Sequence, residues 1–478
     1  MRLELQAVLA ENAPKLTAKG MHMADQRKSI HGEWSGRWAF ILAATGSAVG
    51  LGNIWKFPYI TGENGGGAFV LVYLLCIAII GVPIMMAEIM LGRRGRSTPI
   101  NSMRHLTTEA NAHGLWQIIG WSGMVAGFLI LSYYSVIAGW ALSYIFKSAD
   151  GAFVGAEAVA VGGIFDALLA SPWELLAWHT VFMLMTMIVV ARGVERGLES
   201  AVRFLMPALF ILLLVMVGYA MSMGEFARAV SFLFEPDFSK LTANSVLVAM
   251  GHAFFTLSLG MGAIMIYGAY LPSNASIARS SVIIAAADTA VALLAGLAIF
   301  PIVFSNGLEP GAGPGLIFVT LPIAFGQMPG GVLFASLFFV LLAFAAWSSS
   351  ISLIEPAATW LVENKNMSRI KACVVTGGIA WALGLLSVLS FNHWSDVHLV
   401  PGKTFFDILD YLTSNIMLPL GGLAIAVFAG WMLPAIMSKD ELNLRNGTHY
   451  QWWRTVVRFI TPVAVVIVFL SAIGFIKF

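Results

Sequence analysis

The sequence predicts an all-α polytopic membrane protein: eleven transmembrane helices in a five-plus-five inverted repeat, with helices 1 and 6 broken. Three observations carry this expectation. The 478 residues are 59% hydrophobic and 11% charged, whereas a soluble domain is usually about one-quarter charged. The apolar residues fall into runs long enough to span a bilayer, which takes ~20 residues. Two of those runs, five spans apart, are interrupted at mid-membrane by glycine and polar residues.

Taken in order, the runs cover 38–58, 66–91, 114–146, 173–192, 199–222, 243–270, 278–305, 331–362, 369–391, 405–435 and 453–476. Residues 1–36 lack the long apolar core of a signal peptide and are expected to form a cytoplasmic tail. The first repeat then occupies 37–222, the second 223–435, and a cytoplasmic loop with helix 11 fills 436–478. The two cysteines, Cys76 and Cys373, lie inside apolar runs, so neither a disulfide framework nor a metal motif is expected. The net charge of +2 singles out no partner, and no nucleic acid is expected.

Loop charge sets the orientation. Arg27, Lys28 and Arg37 precede the first span, Arg93, Arg94, Arg96 and Arg104 follow the second, and Arg192 and Arg196 follow the fourth. Arg279 follows the sixth, Lys365, Arg369 and Lys371 the eighth, and Lys439, Arg445 and Arg454 the tenth. The alternate loops are poor in Lys and Arg, and 306–330 has none. Basic loops face the cytoplasm. The N-terminus is therefore expected inside a plasma (inner) membrane and the C-terminus outside.

The first interruption lies in FILAATGSAVGLGNIWKFP (40–58), with Gly46, Ser47, Gly50, Gly52 and Asn53 at its middle. A glycine inside a helix costs ~1 kcal/mol relative to alanine. Several together mark a break, and broken backbone in hydrocarbon is tolerated only against protein or a cavity. The second interruption is GHAFFTLSLGMG (251–262). Glycines can also serve only close helix packing, but two breaks at matching places in two halves point to a transporter site. An offset of five, an odd number, inverts the second half.

GSAVGLGNIWKFP, then GENGGGAF (62–69), SYY (132–134), FFTLSLGMG (254–262) and AWSSSISLIEP (346–356) resemble the neurotransmitter:sodium symporter family, closest to its bacterial amino-acid transporters. The resemblance runs from about Trp34 to about Trp431. The rule about paired interrupted helices was itself drawn in part from this family, so its agreement is not independent. The resemblance implies two sodium sites and an amino-acid site at the breaks. It implies a sodium-coupled symporter that imports hydrophobic L-amino acids by alternating access, and no enzyme. The expected partners are the amino acid, sodium ions and the bilayer.

By similarity, the first sodium ion is held by the Ala48 carbonyl, Asn53, Thr256, Asp288 and the substrate carboxylate, with Ser348 in reach. The second is held by the carbonyls of Gly46, Val49 and Ala345 and the hydroxyls of Ser348 and Ser349. Hard cations take oxygen ligands. Back-bonding to helix carbonyls is the plain alternative for Ser348–Ser350; opposite a broken helix, ligation is favoured. Asp288 stands where chloride-dependent members have Asn, and Ala292 where they have a chloride-binding Ser. A carboxylate within the membrane is by default functional, and this one supplies the negative charge that chloride supplies elsewhere. Chloride independence follows.

Free N–H groups at Leu51, Gly52 and Asn53 suit the substrate carboxylate, with the Tyr134 hydroxyl beside them. The ammonium is expected against the carbonyls of Ala48, Phe255 and Thr256 and the Ser258 hydroxyl. Ile130, Phe255, Met261, Ser349 and Leu353 form an uncharged side-chain pocket, which disfavours charged substrates. Met261 replaces an aromatic found in some relatives, and its flexible thioether suits several apolar shapes.

For the gates, Lys56 faces Asp410 outside, with Phe255 and Tyr134 closing beneath. Lys is a point charge where many relatives have the bidentate Arg. Trp34 wedges beneath the bundle inside. His31 occupies the family's gating Arg position opposite Glu363, either as a pair or as a solvated loop histidine. Rival readings are a transporter of another small zwitterion, a non-transporting receptor or a channel on the same fold. An enzyme using Glu88 or Asp407 lacks an activated nucleophile.

Overall fold

The computed structural model describes residues 27, 29–222, 224–310, 315–444, 446–472 and 475. Most of the predicted 1–36 tail lies outside the described residues, as do Lys28, Arg445 and the end of helix 11. Among the described residues the regular structure is helical, apart from one isolated bridge between Val400 and Lys403.

Among the described residues eight helices are long and apolar enough to cross a membrane, or nine when Arg37–Ala48 and Gly52–Glu63, bent by 50° at their junction, count as one span. These nine coincide with nine of the predicted runs. The predicted sixth is split into Ala243–Thr256 and Ala263–Ala269. The predicted eleventh runs from Gly447–Thr455 through Val456–Ile460 into Thr461–Ala472. Short helices that hydrophobicity alone did not separate fill the loops, among them Pro99–Glu109, Phe226–Phe234 and Ala435–Leu442.

Helix starts are set by side-chain caps. Thr242 and Ser245 cap each other's backbone N–H reciprocally, as do Thr404 and Asp407. Ser171, Ser276 and Ser368 each accept one first-turn N–H. Such a cap is typically worth ~1 kcal/mol.

Glycine sets how closely the helices pack. A Cβ at Gly92 would lie 1.9 Å from the Met265 carbonyl oxygen, and one at Gly268 would lie 2.7 Å from that of Ile89. Gly67–Gly95 and Ala263–Ala269 therefore touch backbone to backbone, the contact small residues permit in membranes. Gly114–Ala149 is the central helix: 83% of its apolar window is buried.

The basic loops gather at one end. Arg27 and Arg94 both pair with Glu109, Arg93 with Glu441 at 2.5 Å, and Arg96 with Glu33 at 3.2 Å. Ser35 donates to Glu199 (Oγ–Oε1 2.5 Å), which ties the start of Val194–Met221 to the same end.

Candidate functional site

Both predicted interruptions are real breaks, and they face each other. The first helix stops at Ala48, where Val49 turns extended (φ −70°, ψ 112°). In the second, Ser258, Gly260 and Gly262 all adopt positive φ (54°, 78° and 74°). Glycine takes this region freely, whereas serine there is uncommon. Its hydroxyl donates to the Ser47 carbonyl across the gap at 2.8 Å, which helps hold it there. A Cβ at Gly52 would meet the Phe255 ring at 3.2 Å.

Between the breaks lies a small cavity of about 30 Å³. Ala48, Leu51, Gly52, Ile130, Tyr134, Phe255, Ser258, Met261, Ser349 and Leu353 line it, together with Ser47 and Gly50. Of the predicted substrate residues Thr256 and Asn53 are not in the lining; the Thr256 hydroxyl turns to Asp288. The Leu51 N–H points to the Tyr134 hydroxyl at 3.3 Å. The Asn53 N–H is already committed to the Gly50 carbonyl (3.2 Å), so it is not among the free donors.

Asp288 is fully buried. Its carboxylate accepts from Asn53 Nδ2 at 2.7 Å and from the Thr256 hydroxyl at 3.0 and 3.2 Å. Asn53 Nδ2 also lies 3.1 Å from Thr256 Oγ1. These partners are neutral, and among the described residues no Lys, Arg or His pairs with the carboxylate. Only the Thr256 hydroxyl presents an oxygen to the carboxylate; Asn53 turns its amide nitrogen to it, while the Asn53 amide oxygen accepts the Gly50 N–H at 3.0 Å. A buried carboxylate with neutral partners still suits a hard cation, which takes oxygen ligands. A second oxygen cluster lies nearby: Ser349 donates across to the carbonyls of Val49 (3.0 Å) and Gly46 (3.4 Å) on the broken helix, whereas Ser348 donates to Ala345 (3.0 Å) and Ser350 to Trp347 (2.8 Å) within their own helix, the back-bonding alternative. All five predicted residues of that cluster are thus together.

The two ends of the site differ. Trp34 is 2% exposed and donates its indole N–H to the Tyr267 carbonyl at 3.0 Å. It stands edge-on to Tyr267 and Tyr270, with ring centres 5.2 and 5.9 Å away. His31 Nε2 lies 3.1 Å from Glu363, and its side chain is 6% exposed, so it is a paired residue rather than a solvated one. Glu363 also accepts from Thr98 and Asn101. At the opposite end a cavity of about 380 Å³ reaches down to Leu51, Tyr134 and Phe255. Lys56 and Asp410 both line it without forming an ion pair. The Lys56 ammonium sits 4.7 Å from the Phe255 ring centre, while Asp410 accepts from Tyr133 (3.2 Å) and Ser414 (2.9 Å).

Three residues of the site escaped the sequence reading of individual roles. Gly50 is one: a Cβ there would lie 2.6 Å from Ser349 Oγ and 2.9 Å from the Tyr134 hydroxyl. Ser47 is another, bonded through its hydroxyl to Ser352 (2.7 Å) and through its carbonyl to Ser258. The third is the fully buried Glu88, which accepts the Gly260 N–H at 3.1 Å and so satisfies backbone exposed by the second break. Its depth in the membrane was the available signal.

A sequence profile of the Sodium:neurotransmitter symporter family matches residues 31–158 and 152–477. Uncharacterized sodium-dependent transporter YhdH of Bacillus subtilis is 41% identical over 453 residues, covering 93% of this chain and 98% of that one. An uncharacterized sodium-dependent transporter of Haemophilus influenzae is 35% identical over 445 residues, covering 92% and 97%. Among solved structures, the crystal structure of MhsT in complex with L-phenylalanine matches with a TM-score of 0.85 and 43% identity, over 92% of this chain and 99% of that one.

Proposed function

This chain belongs to the Sodium:neurotransmitter symporter family, and we propose that it imports hydrophobic L-amino acids, aliphatic and aromatic, together with sodium and without chloride. Its relatives are transporters rather than enzymes. The observation that carries the reading is Asp288: a fully buried carboxylate with only neutral partners, one residue (Asn53) away from the first break.

In this reading the Leu51 and Gly52 N–H groups and the Tyr134 hydroxyl receive the substrate carboxylate at a half-helix N-terminus. The carbonyls of Ala48, Phe255 and Thr256 receive the ammonium. Ser258, whose proton is already given to Ser47, has lone pairs left to accept from it. Two sodium ions are co-transported. One sits among Ala48, Asn53, Thr256, Asp288 and the substrate's own carboxylate, with Ser348 in reach. The other sits among Gly46, Val49, Ala345, Ser348 and Ser349. Sharing the carboxylate couples the first ion to the amino acid, and such coupling is reciprocal.

Alternating access follows from the unlike ends. The Trp34 plug and the His31–Glu363 pair close the predicted cytoplasmic side, while the larger cavity leads to the other. Closure there brings Lys56 toward Asp410 over Phe255 and Tyr134. The moving halves are 37–222 and 223–435, related as inverted repeats within eleven spans in the inner membrane, N-terminus inside and C-terminus outside. A competition panel of the twenty amino acids against labelled leucine, bound in sodium, tests the substrate class. Leucine, valine, phenylalanine and tryptophan should displace the label while lysine and glutamate do not. Displacement by the charged amino acids at similar concentrations would refute the apolar pocket.

A further inference from the structure

On the outer surface of the bundle, away from the substrate site, Pro172–Ala191 and Arg369–Ser390 leave an apolar groove of about 430 Å³ between them. Its walls include Leu184 and Ile188 on one helix and Ile370 and Val374 on the other, all more than half exposed. Gly378 lies on the groove and would leave even an added Cβ without a neighbour within 4 Å. The lining on the first helix extends from Thr180 to Ala191. At a rise of ~1.5 Å per residue that is ~16 Å, against ~15 Å for half of a ~30 Å hydrocarbon core. The groove is one leaflet deep.

Its open end is basic. Arg369 Nε donates to the Val190 carbonyl at 2.9 Å, which stitches the end of one helix to the start of the other. Arg192 lies just past the end of the first helix and Lys371 in the first turn of the second; neither is in the groove lining, and both are exposed at the stitched end. Arg196 follows in the next helix, beyond the break at Gly193 (φ 80°), with Glu195 as the acid beside it. Arg369 itself is held by Glu355. Among the described residues Arg192, Arg196 and Lys371 have no ion pair.

An apolar slot of one-leaflet depth, ending in unpaired cations at the membrane surface, has the chemistry of an acyl chain beneath an anionic headgroup. We propose that this groove is a binding site for an anionic phospholipid of the leaflet that faces the Trp34 end. The acyl chain lies along Leu184, Ile188, Val374 and Gly378, and Arg192 and Lys371 meet the phosphate.

Native mass spectrometry of the full chain, released from detergent with equal phosphatidylglycerol and phosphatidylcholine, reads the site directly. The wild type should retain one phosphatidylglycerol in preference to phosphatidylcholine. Arg192→Ala with Lys371→Ala should weaken that retention by about 25-fold, at about 5-fold per charge near a membrane surface. Gly378→Trp should lose the lipid by filling the slot, and Gly378→Ala should keep it. Equal retention of both lipids by the wild type, or undiminished phosphatidylglycerol in the charge variant, would overturn the proposal. A dimer that Gly378→Trp dissociates would also overturn it, by showing that a second copy of the chain covers the groove.

Discussion

Replacing Gly50 by alanine is the most informative small perturbation of the site. The new methyl would stand 2.6 Å from Ser349 Oγ and 2.9 Å from the Tyr134 hydroxyl, closer than carbon and oxygen tolerate. Gly50 is not among the residues of positive φ, so the backbone accepts alanine and the effect comes from the two neighbours. Both belong to the binding account. Tyr134 receives the Leu51 N–H, and Ser349 bonds the carbonyls of Gly46 and Val49. One methyl thus strains the carboxylate end and the second ion cluster together. Overpacking of this kind costs ~1–3 kcal/mol, or about a 5- to 150-fold loss of affinity at ~1.4 kcal/mol per decade. The assay is equilibrium binding of labelled leucine to purified protein, titrated in leucine and in sodium. Both midpoints should rise. Gly163→Ala, at a position with nothing within 4 Å, serves as the control and should leave them unchanged. Wild-type midpoints in Gly50→Ala would refute the close approach of Tyr134 and Ser349 in the binding state.

Three further outcomes follow from the same geometry. Uptake in sodium gluconate should equal that in sodium chloride, because Asp288 brings its own charge and Ala292 lacks a hydroxyl; a steep loss without chloride would contradict this. Asp288→Asn should lower the affinities for sodium and amino acid together, since the ion and the carboxylate are linked; unchanged sodium dependence of binding would take Asp288 out of the site. Met261 is 3% exposed in a lining with little spare room. Met261→Phe should therefore penalise tryptophan about 5- to 150-fold and leucine or valine less, with sodium dependence for small substrates preserved. Equal losses for all would make Met261 a support of the break rather than a pocket wall.

Much of this was legible because the membrane makes polar and flexible residues conspicuous. Glycines at 46, 50 and 52 and at 260 and 262, the serines at 348 and 349, and Asp288 all interrupt apolar runs, and the structure brings them within one neighbourhood. The boundaries were less legible. The first break falls at Val49–Leu51 and the second at Leu257–Gly262, because extended Val49 and left-handed Ser258, Gly260 and Gly262 set them. Roles that depend on a distant partner left no local mark. Nothing around Glu88 says that it will satisfy the Gly260 N–H 172 positions away. Nothing around Glu355 says that Arg369 and Tyr270 will hold it buried. The sequence predicts Lys56 and Asp410 as a facing pair. They share the cavity, but each is held by another neighbour in this state, Phe255 for one and Tyr133 with Ser414 for the other.

The central claim is that two facing helix breaks bind sodium and a hydrophobic amino acid as one coupled load. The most direct measurement is uptake of labelled leucine and phenylalanine into proteoliposomes with sodium imposed outside. The account predicts accumulation above the external concentration, lost when potassium replaces sodium and released when an ionophore collapses the sodium gradient. Uptake that is equal in potassium, or that only equilibrates across the membrane, would contradict it.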